Sequence, residues 1–455
     1  MRNTVLKILF YITILFTCNS VHAQWSALSL LEGKLNMASA SLETKVYFAG
    51  GADYSKVFDD IEIYDTISKT WSYQKLSAAR SMITGVSCQN KIFFAGGFNP
   101  HSLTNFSVID IFNSNTQEWI VKKLPQAGIY KAVKCGNNKV VFGCGLKIIS
   151  LNPLKTQNIS MLYIYDLDED CWEHIPVKQS RKNMQMVATN ENVYLAGGIL
   201  SNGNITNKVD VYNIPNSSWK TIYLSVPRSY FSVASYDEKV FFAGGKTILG
   251  NFSDLVNIYD ESTFSWSSTR MNTAKCPKSP GISVGNKIYF IGGSSLHLSK
   301  TELDKSFNNI DIFDINTKKW SNRKLPFPII KHTVIATENI LLLAGGIILK
   351  EDKKVLQDIL YIYEQAEENS NSKTKQITFE INPRVRNKNL HFNIPEKYTS
   401  KPLKLNLIDL NGRIIFTGQL SLDHNMINAT EVISGVYIIL VTGENVNYST
   451  KVLIR

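Results

Sequence analysis

Seven short segments of the chain are near-copies of one another, spaced 46 to 53 residues apart. Each has an apolar run closed by a glycine pair: Gly50-Gly51, Gly96-Gly97, Gly197-Gly198, Gly244-Gly245, Gly292-Gly293 and Gly345-Gly346, with Cys144-Gly145 in the third copy. A bulky residue and an aromatic follow, from Ile63-Tyr64 to Ile362-Tyr363, and in the first six copies a tryptophan stands seven positions later (Trp71, Trp119, Trp172, Trp219, Trp266, Trp320). Runs such as KIFFAGG are short and rich in β-branched and aromatic residues, so they read as buried strands. A repeat of this length must be a supersecondary unit that buries its core against its neighbours.

This pattern resembles the kelch repeat, which implies a seven-bladed β-propeller of four-stranded blades over 24–364. The seventh copy ends near Glu364 without a tryptophan, and Trp25 is the one left over. The N-terminal strand is therefore expected to complete blade seven, because an open ring would leave two unpaired strand edges.

The two ends read differently. Residues 1–23 combine Arg2 and Lys7, an apolar stretch and Val21-His22-Ala23, the layout of a secretory signal peptide. Residues 365–376 are polar and charged, a linker. From 377 to 455 the period is lost. Alternating apolar residues around Asn411-Gly412 and Thr442-Gly443 predict hairpins of a small β-sandwich. Asn382-Pro383, the Asp409–Arg413 turn, Gly435-Val436-Tyr437 and a basic end at Lys451 and Arg455 resemble the C-terminal sorting domain of the type IX secretion system of Bacteroidetes. That resemblance implies an exported protein, secreted or at the cell surface, with the secretion machinery as one partner. No later segment is long and apolar enough to predict a transmembrane helix.

Five cysteines follow the leader, and an odd number cannot all pair internally; Cys135 and Cys144, read as bracketing one hairpin, form the most plausible pair. None has metal-ligand spacing, and no metal or cofactor is expected. The net charge of +11 is scattered, without the clusters of a nucleic-acid binder. A monomer is expected.

Binding sites of propellers lie on loops held by a rigid scaffold. Counting sixteen residues back from each glycine pair lands on the entry to the innermost strand: Lys34, Arg80, Gly128, Arg181, Arg228, Cys276 and Ile329, with Lys131, Lys278 and Lys331 two or three residues further on. Lys34, Arg80, Arg181, Arg228, Lys278 and Lys331 are the candidate ligand residues, a ring of cations at one channel mouth that would focus positive potential on a carboxylate or sulfate. The kelch resemblance agrees, since these propellers often hold acidic peptides or sugar acids with arginines at this entry; capping of strand ends is the competing role. The expected function is a binding module for an anionic glycan or an acidic peptide or protein. The loops after the glycine pairs (Asp53, Tyr54, Asn99, His101, Asn105, His297, Glu302, Asp304) would form the rim. Two enzyme readings compete. A copper oxidase of the galactose-oxidase type lacks its Tyr/Cys/His set, with His101, His174, His297 and His332 as the propeller's histidines. A sialic-acid mutarotase type would need an acid/base group such as Glu302 or Asp53.

Overall fold

The computed structural model describes residues 25–364 apart from 278–280, 294–305, 338–339 and 351–352, together with the strands of the C-terminal region. Compact units divide at Ala366 and Glu367. The expected signal peptide (1–23), the expected linker (365–376) and Lys278 lie outside the described residues.

Residues 25–364 form a propeller of seven antiparallel sheets, six of four strands and one, blade three, with a fifth, among the described residues. Blade one shows the plan, from the channel outward: Ala38–Leu42, Lys45–Ala49, Asp60–Asp65 and Trp71–Lys75. The two middle strands are buried nearly throughout and the outermost is exposed. Alternate residues of each middle strand point to the two neighbouring blades, so the core lies in layers between blades. One layer joins Phe93, Ile109 and Ile111 of blade two to Val140, Phe142 and Tyr163 of blade three. The repeated aromatic and tryptophan meet within each blade, with ring centroids 5.0 Å apart for Tyr64–Trp71, 5.2 Å for Phe112–Trp119 and 4.9 Å for Tyr259–Trp266. Their offset is set by strand pairing, which places Tyr64 opposite Trp71.

The glycine pairs are needed where blades touch. Gly50 and Gly51 have φ of 61° and 101°. A Cβ on Gly50 would lie 2.5 Å from the carbonyl oxygen of Arg80 in the next blade, and Gly51 donates its N–H to that oxygen at 3.1 Å. No side chain fits that approach.

In blade seven the outermost strand comes from the N-terminal side of the chain. Trp25–Ser29 pairs antiparallel with Ile359–Glu364, Trp25 facing Tyr363 and Ser29 facing Ile359. Blade three departs most: Cys144 keeps the left-handed turn at φ 49°, and the second strand runs on as Lys139–Leu151 to form a projecting hairpin with Leu154–Asn158. Asn105 of the blade-two loop holds this hairpin, its side chain donating to the Ile148 carbonyl at 2.9 Å and accepting from the Ile148 N–H at 3.0 Å.

The Cys135–Cys144 pairing is corrected: neither thiol is in a disulfide. Cys135 pairs with Lys139 at the turn of its hairpin, whereas Cys144 stands midway along Lys139–Leu151, beside the pairing of Lys131 with Gly143. Cys88 and Cys135 instead donate their thiols to carbonyls of the following blade, at Asn137 and Asn190.

Within 367–455, Leu403–Ile408 is flanked by Ile414–Leu420 and Gly435–Gly443, the latter pairing on with Val446–Ile454, so both predicted hairpins are present. Leu403, Leu405 and Leu407 are buried on one face. A second, three-stranded sheet joins Arg384–Arg386, Asn389–His391 and Met426–Asn428.

Ring closure generates a prediction. Deleting residues 24–33 exposes the edge of Ile359–Glu364 and the flank of blade one. Differential scanning calorimetry should show loss of the cooperative transition, or aggregation, in the deletion variant; an unchanged melting curve would contradict the closure.

Candidate functional site

The channel runs between the innermost strands. A cavity of about 440 Å³ lies in it, lined by residues such as Thr84, Lys131, Gln185, Ala234, Ser283 and Ala336. The strand entries and the loops after the glycine pairs open on one mouth of this channel, hereafter the entry face.

Four candidate cations do not face that mouth. Arg80 and Arg228 are 0% exposed, Lys34 1% and Arg181 3%. Arg80 turns back into its own blade. It donates to the Gly96 carbonyl at 2.8 Å and the Phe94 carbonyl at 3.1 Å, and pairs with Asp110 at 2.5 Å. Arg181 does the same with Gly197, Leu195 and, at 2.6 Å, Asp210. Lys34 pairs with Asp60 and with Glu62, the latter at 2.8 Å. The cause is the glycine pair: its left-handed turn leads the chain out of the ladder and leaves carbonyls at the end of the second strand. A buried carbonyl needs a donor, and the cation supplies it. A carboxylate on the third strand then balances the charge. The ring of ligand-facing cations is thus replaced, at these four positions, by a ring of internal struts.

The sequence count missed one strut. Lys275, beside the counted Cys276, is fully buried, pairs with Asp311 at 2.7 Å and donates to the Phe290 carbonyl at 3.1 Å. The missed signal lies on the third strand. Glu62, Asp110, Asp210, Asn257 and Asp311 occupy one repeat position wherever a strut exists, and the two blades with Gly128 and Ile329 in place of a cation have Tyr163 and Tyr361 there. Burial lowers the Arg80 and Lys275 pKa values, opposed by Asp110 and Asp311. Arg228 faces Asn257 rather than a carboxylate, at 2.6 Å, and burial takes it down to about 10.

What does face the mouth is the residue two positions after the counted strand entry, whether or not a strut stands there. Asn36, Met82, Asn183, Tyr230 and Lys331 all have φ between 53° and 57°, which turns their side chains out of the strand. Lys331 is exposed and is the one described candidate cation left for a ligand; Lys278, its counterpart in blade six, is outside the described residues. Lys131 lies on the channel wall, donates to Gln185 at 3.0 Å, and is lowered by burial.

The rim residues divide. Asp53 accepts from the backbone N–H groups of Ser55 and Lys56, and Asn99 from those of His101 and Ser102, so both hold their own turns. His297, Glu302 and Asp304 are outside the described residues. The entry face carries exposed large apolar side chains instead, among them Tyr54, Leu103, Ile149, Leu154, Ile248 and Leu249, the last 80% exposed. The opposite face has Ile67 and Phe264 among its described residues. Lys147, Lys155, Lys182 and Lys246 stand among the entry-face side chains, without ion pairs among the described residues. Among the described residues no group of three or more His, Cys, Asp and Glu is placed to hold a metal.

Comparison with protein families agrees with this architecture. The model of the KLHDC2/KLHL20/DRC7 Kelch-repeats domain matches residues 129–346, and that of the Kelch motif matches 34–75. The model of the secretion system C-terminal sorting domain matches 382–455. No curated protein matches the chain.

Two predictions test the struts and their surroundings. Arg80→Ala strands Asp110 and the carbonyls of Ala78, Phe94 and Gly96 and should cost about 3–5 kcal/mol, whereas Asn257→Asp gives Arg228 a counter-charge and should raise stability. Chemical denaturation at neutral pH checks both, and the reverse order would refute the strut.

His332 lies between blades six and seven with both ring nitrogens buried and without a partner among the described residues, and burial takes its pKa down from 6.5 to about 4. A depressed imidazole favours folding while neutral. Its contribution is complete above pH 6.5 and is lost as pH falls towards 4, by up to about 3 kcal/mol. Denaturant titrations at pH 7, 5.5 and 4.5 should show a shallower loss for His332→Phe than for the parent; equal slopes would exclude the histidine as the cause.

Proposed function

The chain is an exported kelch-repeat β-propeller carrying the sorting domain of type IX secretion substrates, which places it at the cell surface or in the medium, and from that premise we propose that it is a binding module whose entry face takes an acidic peptide or protein segment. The observation that carries this is the concentration of exposed aliphatic side chains on one face. Exposed apolar surface of this kind marks protein-interaction sites. A glycan would be served by planar aromatics and close-set polar groups, whereas Leu103, Ile149, Leu154, Ile248 and Leu249 offer branched aliphatic contacts. The unpaired lysines among them favour a partner that brings carboxylates.

Recognition would be two-layered. Aliphatic rim contacts supply burial, about 25 cal/mol per Å² of apolar surface removed from water. Lys147, Lys155, Lys182 and Lys331 supply long-range attraction that raises the rate of encounter. The buried struts supply rigidity, so the rim is preorganised and little ordering entropy opposes binding. Of the two acid/base candidates for a sugar-converting activity, Asp53 holds a turn and Glu302 lies outside the described residues.

A peptide array spanning acidic, neutral and basic sequences, with and without leucine and isoleucine, tests the reading. Spots combining acidic and aliphatic residues should bind the full chain. Binding to those spots should fall about tenfold or more in an Ile248→Ser/Leu249→Ser double variant and weaken as salt rises. Binding confined to neutral polar or basic peptides, or unaffected by the double variant, would overturn it.

A further inference from the structure

On the face opposite the rim, a cavity of about 510 Å³ opens between blades four and five. Its origin is one residue. The position following the third strand is filled by apolar side chains in several blades: Leu167 and Ile214 are buried in the interblade layers, and Ile315 packs against another. In blade five the same position is Glu261. Its backbone N–H donates to the Glu238 carbonyl as its counterparts do to theirs, but its carboxylate replaces the apolar plug. Thr189 and Asn192 donate to Oε1 at 2.9 Å each, and Tyr194 donates to the same oxygen. Among the described residues nothing donates to Oε2. The carboxylate is thus fixed from one side, and its second oxygen is left to the cavity.

The remaining walls carry mixed chemistry. Asn190, Glu191, Asn216 and Glu238 are exposed side chains on the turns around the opening. Phe264 is 73% exposed at φ 51°, a conformation that a phenylalanine adopts at a cost. Lys220 lies over its ring at 5.3 Å and over that of Tyr259 at 5.7 Å, rather than against any carboxylate. One face of the phenyl ring is therefore matched to a cation already present, and the rest of the ring meets solvent.

We propose that this cavity is a second binding site, for a neutral saccharide of two or three units. Its volume falls within the range of small-ligand sites. Side-chain amides both donate and accept, and carboxylates accept, which matches hydroxyl groups that do both. The exposed phenyl ring offers a flat apolar surface to the C–H face of a pyranose. An acidic sugar would meet Glu191, Glu238 and Glu261, so the lining disfavours anionic ligands, and Lys220 already holds the ring face that a cationic ligand would take. This site shares no residue with the entry face, and its test is independent of the one for that face.

Isothermal titration of the full chain with chitotriose, cellotriose, maltotriose, mannotriose and lactose provides the experiment, with a lysine-rich peptide and a sialylated trisaccharide as charged controls. At least one neutral sugar should bind. Its affinity should drop tenfold or more in Phe264→Gly and in Asn216→Ala, persist in Phe264→Tyr, and be unchanged in the Ile248→Ser/Leu249→Ser variant. Glycine suits φ 51°, so a loss in Phe264→Gly with an unaltered melting temperature reports the ring and not the fold. No neutral sugar binding, binding of the charged controls alone, or binding that survives both Phe264→Gly and Asn216→Ala would overturn the proposal.

Discussion

The propeller depends on a junction at the entry to each innermost strand, where one residue serves two blades. The carbonyl of Arg80 accepts the Gly51 N–H of the preceding blade, and its guanidinium ties the second and third strands of its own. The same arrangement recurs at Lys34, Arg228 and Lys275, and Arg181 makes the same tie within its own blade. The glycine pair makes the backbone approach possible, and the cation satisfies the carbonyls that the glycine turn leaves over. Five blades use both, whereas blade seven keeps Gly345-Gly346 with Ile329 in place of the cation. The dependence runs one way: a buried cation without those acceptors and a third-strand partner would carry the full cost of desolvation.

Blade three is informative because it lacks both halves of this device. Gly128 stands at the strut position and Cys144 at the first glycine. Tyr163 replaces the acid and bonds Gln126 at 3.2 Å, while Tyr130 donates to the Gln126 carbonyl at 2.8 Å. The freed second strand continues into the hairpin that Asn105 clasps. Loss of an internal tie and gain of a projecting element coincide in one blade, and the hairpin carries Ile149, Leu154, Lys147 and Lys155 to the entry face.

The ring of blades, its closure by the N-terminal strand and the two C-terminal hairpins were legible because each is written in backbone terms: glycines where φ is positive, apolar runs of strand length, and a tryptophan where the outer strand pairs. The candidate site was legible in position but not in role. A column of Lys and Arg at a channel mouth reads as exposed charge, because a sequence shows the cation and hides the carbonyls that claim it. The acids of the third strand held the answer, since Glu62, Asp110, Asp210, Asn257 and Asp311 recur at one register where apolar residues flank them on both sides. The left-handed residues at the mouth were out of reach, since Asn36, Met82, Tyr230 and Lys331 share a backbone angle but no chemistry.

Pairing Trp25 with Tyr363 joins residues 338 positions apart. Brought together in an unfolded chain, such ends would cost about 5 kcal/mol in loop entropy. Each completed blade sets the next at its side, so by the time blade six is formed the two ends are already neighbours and that cost has been met in small steps. Closure must therefore come last. A chain still in transit holds an unsealed ring with two bare strand edges, and the interval before the final strand docks is when it is most open to pairing with another copy of itself.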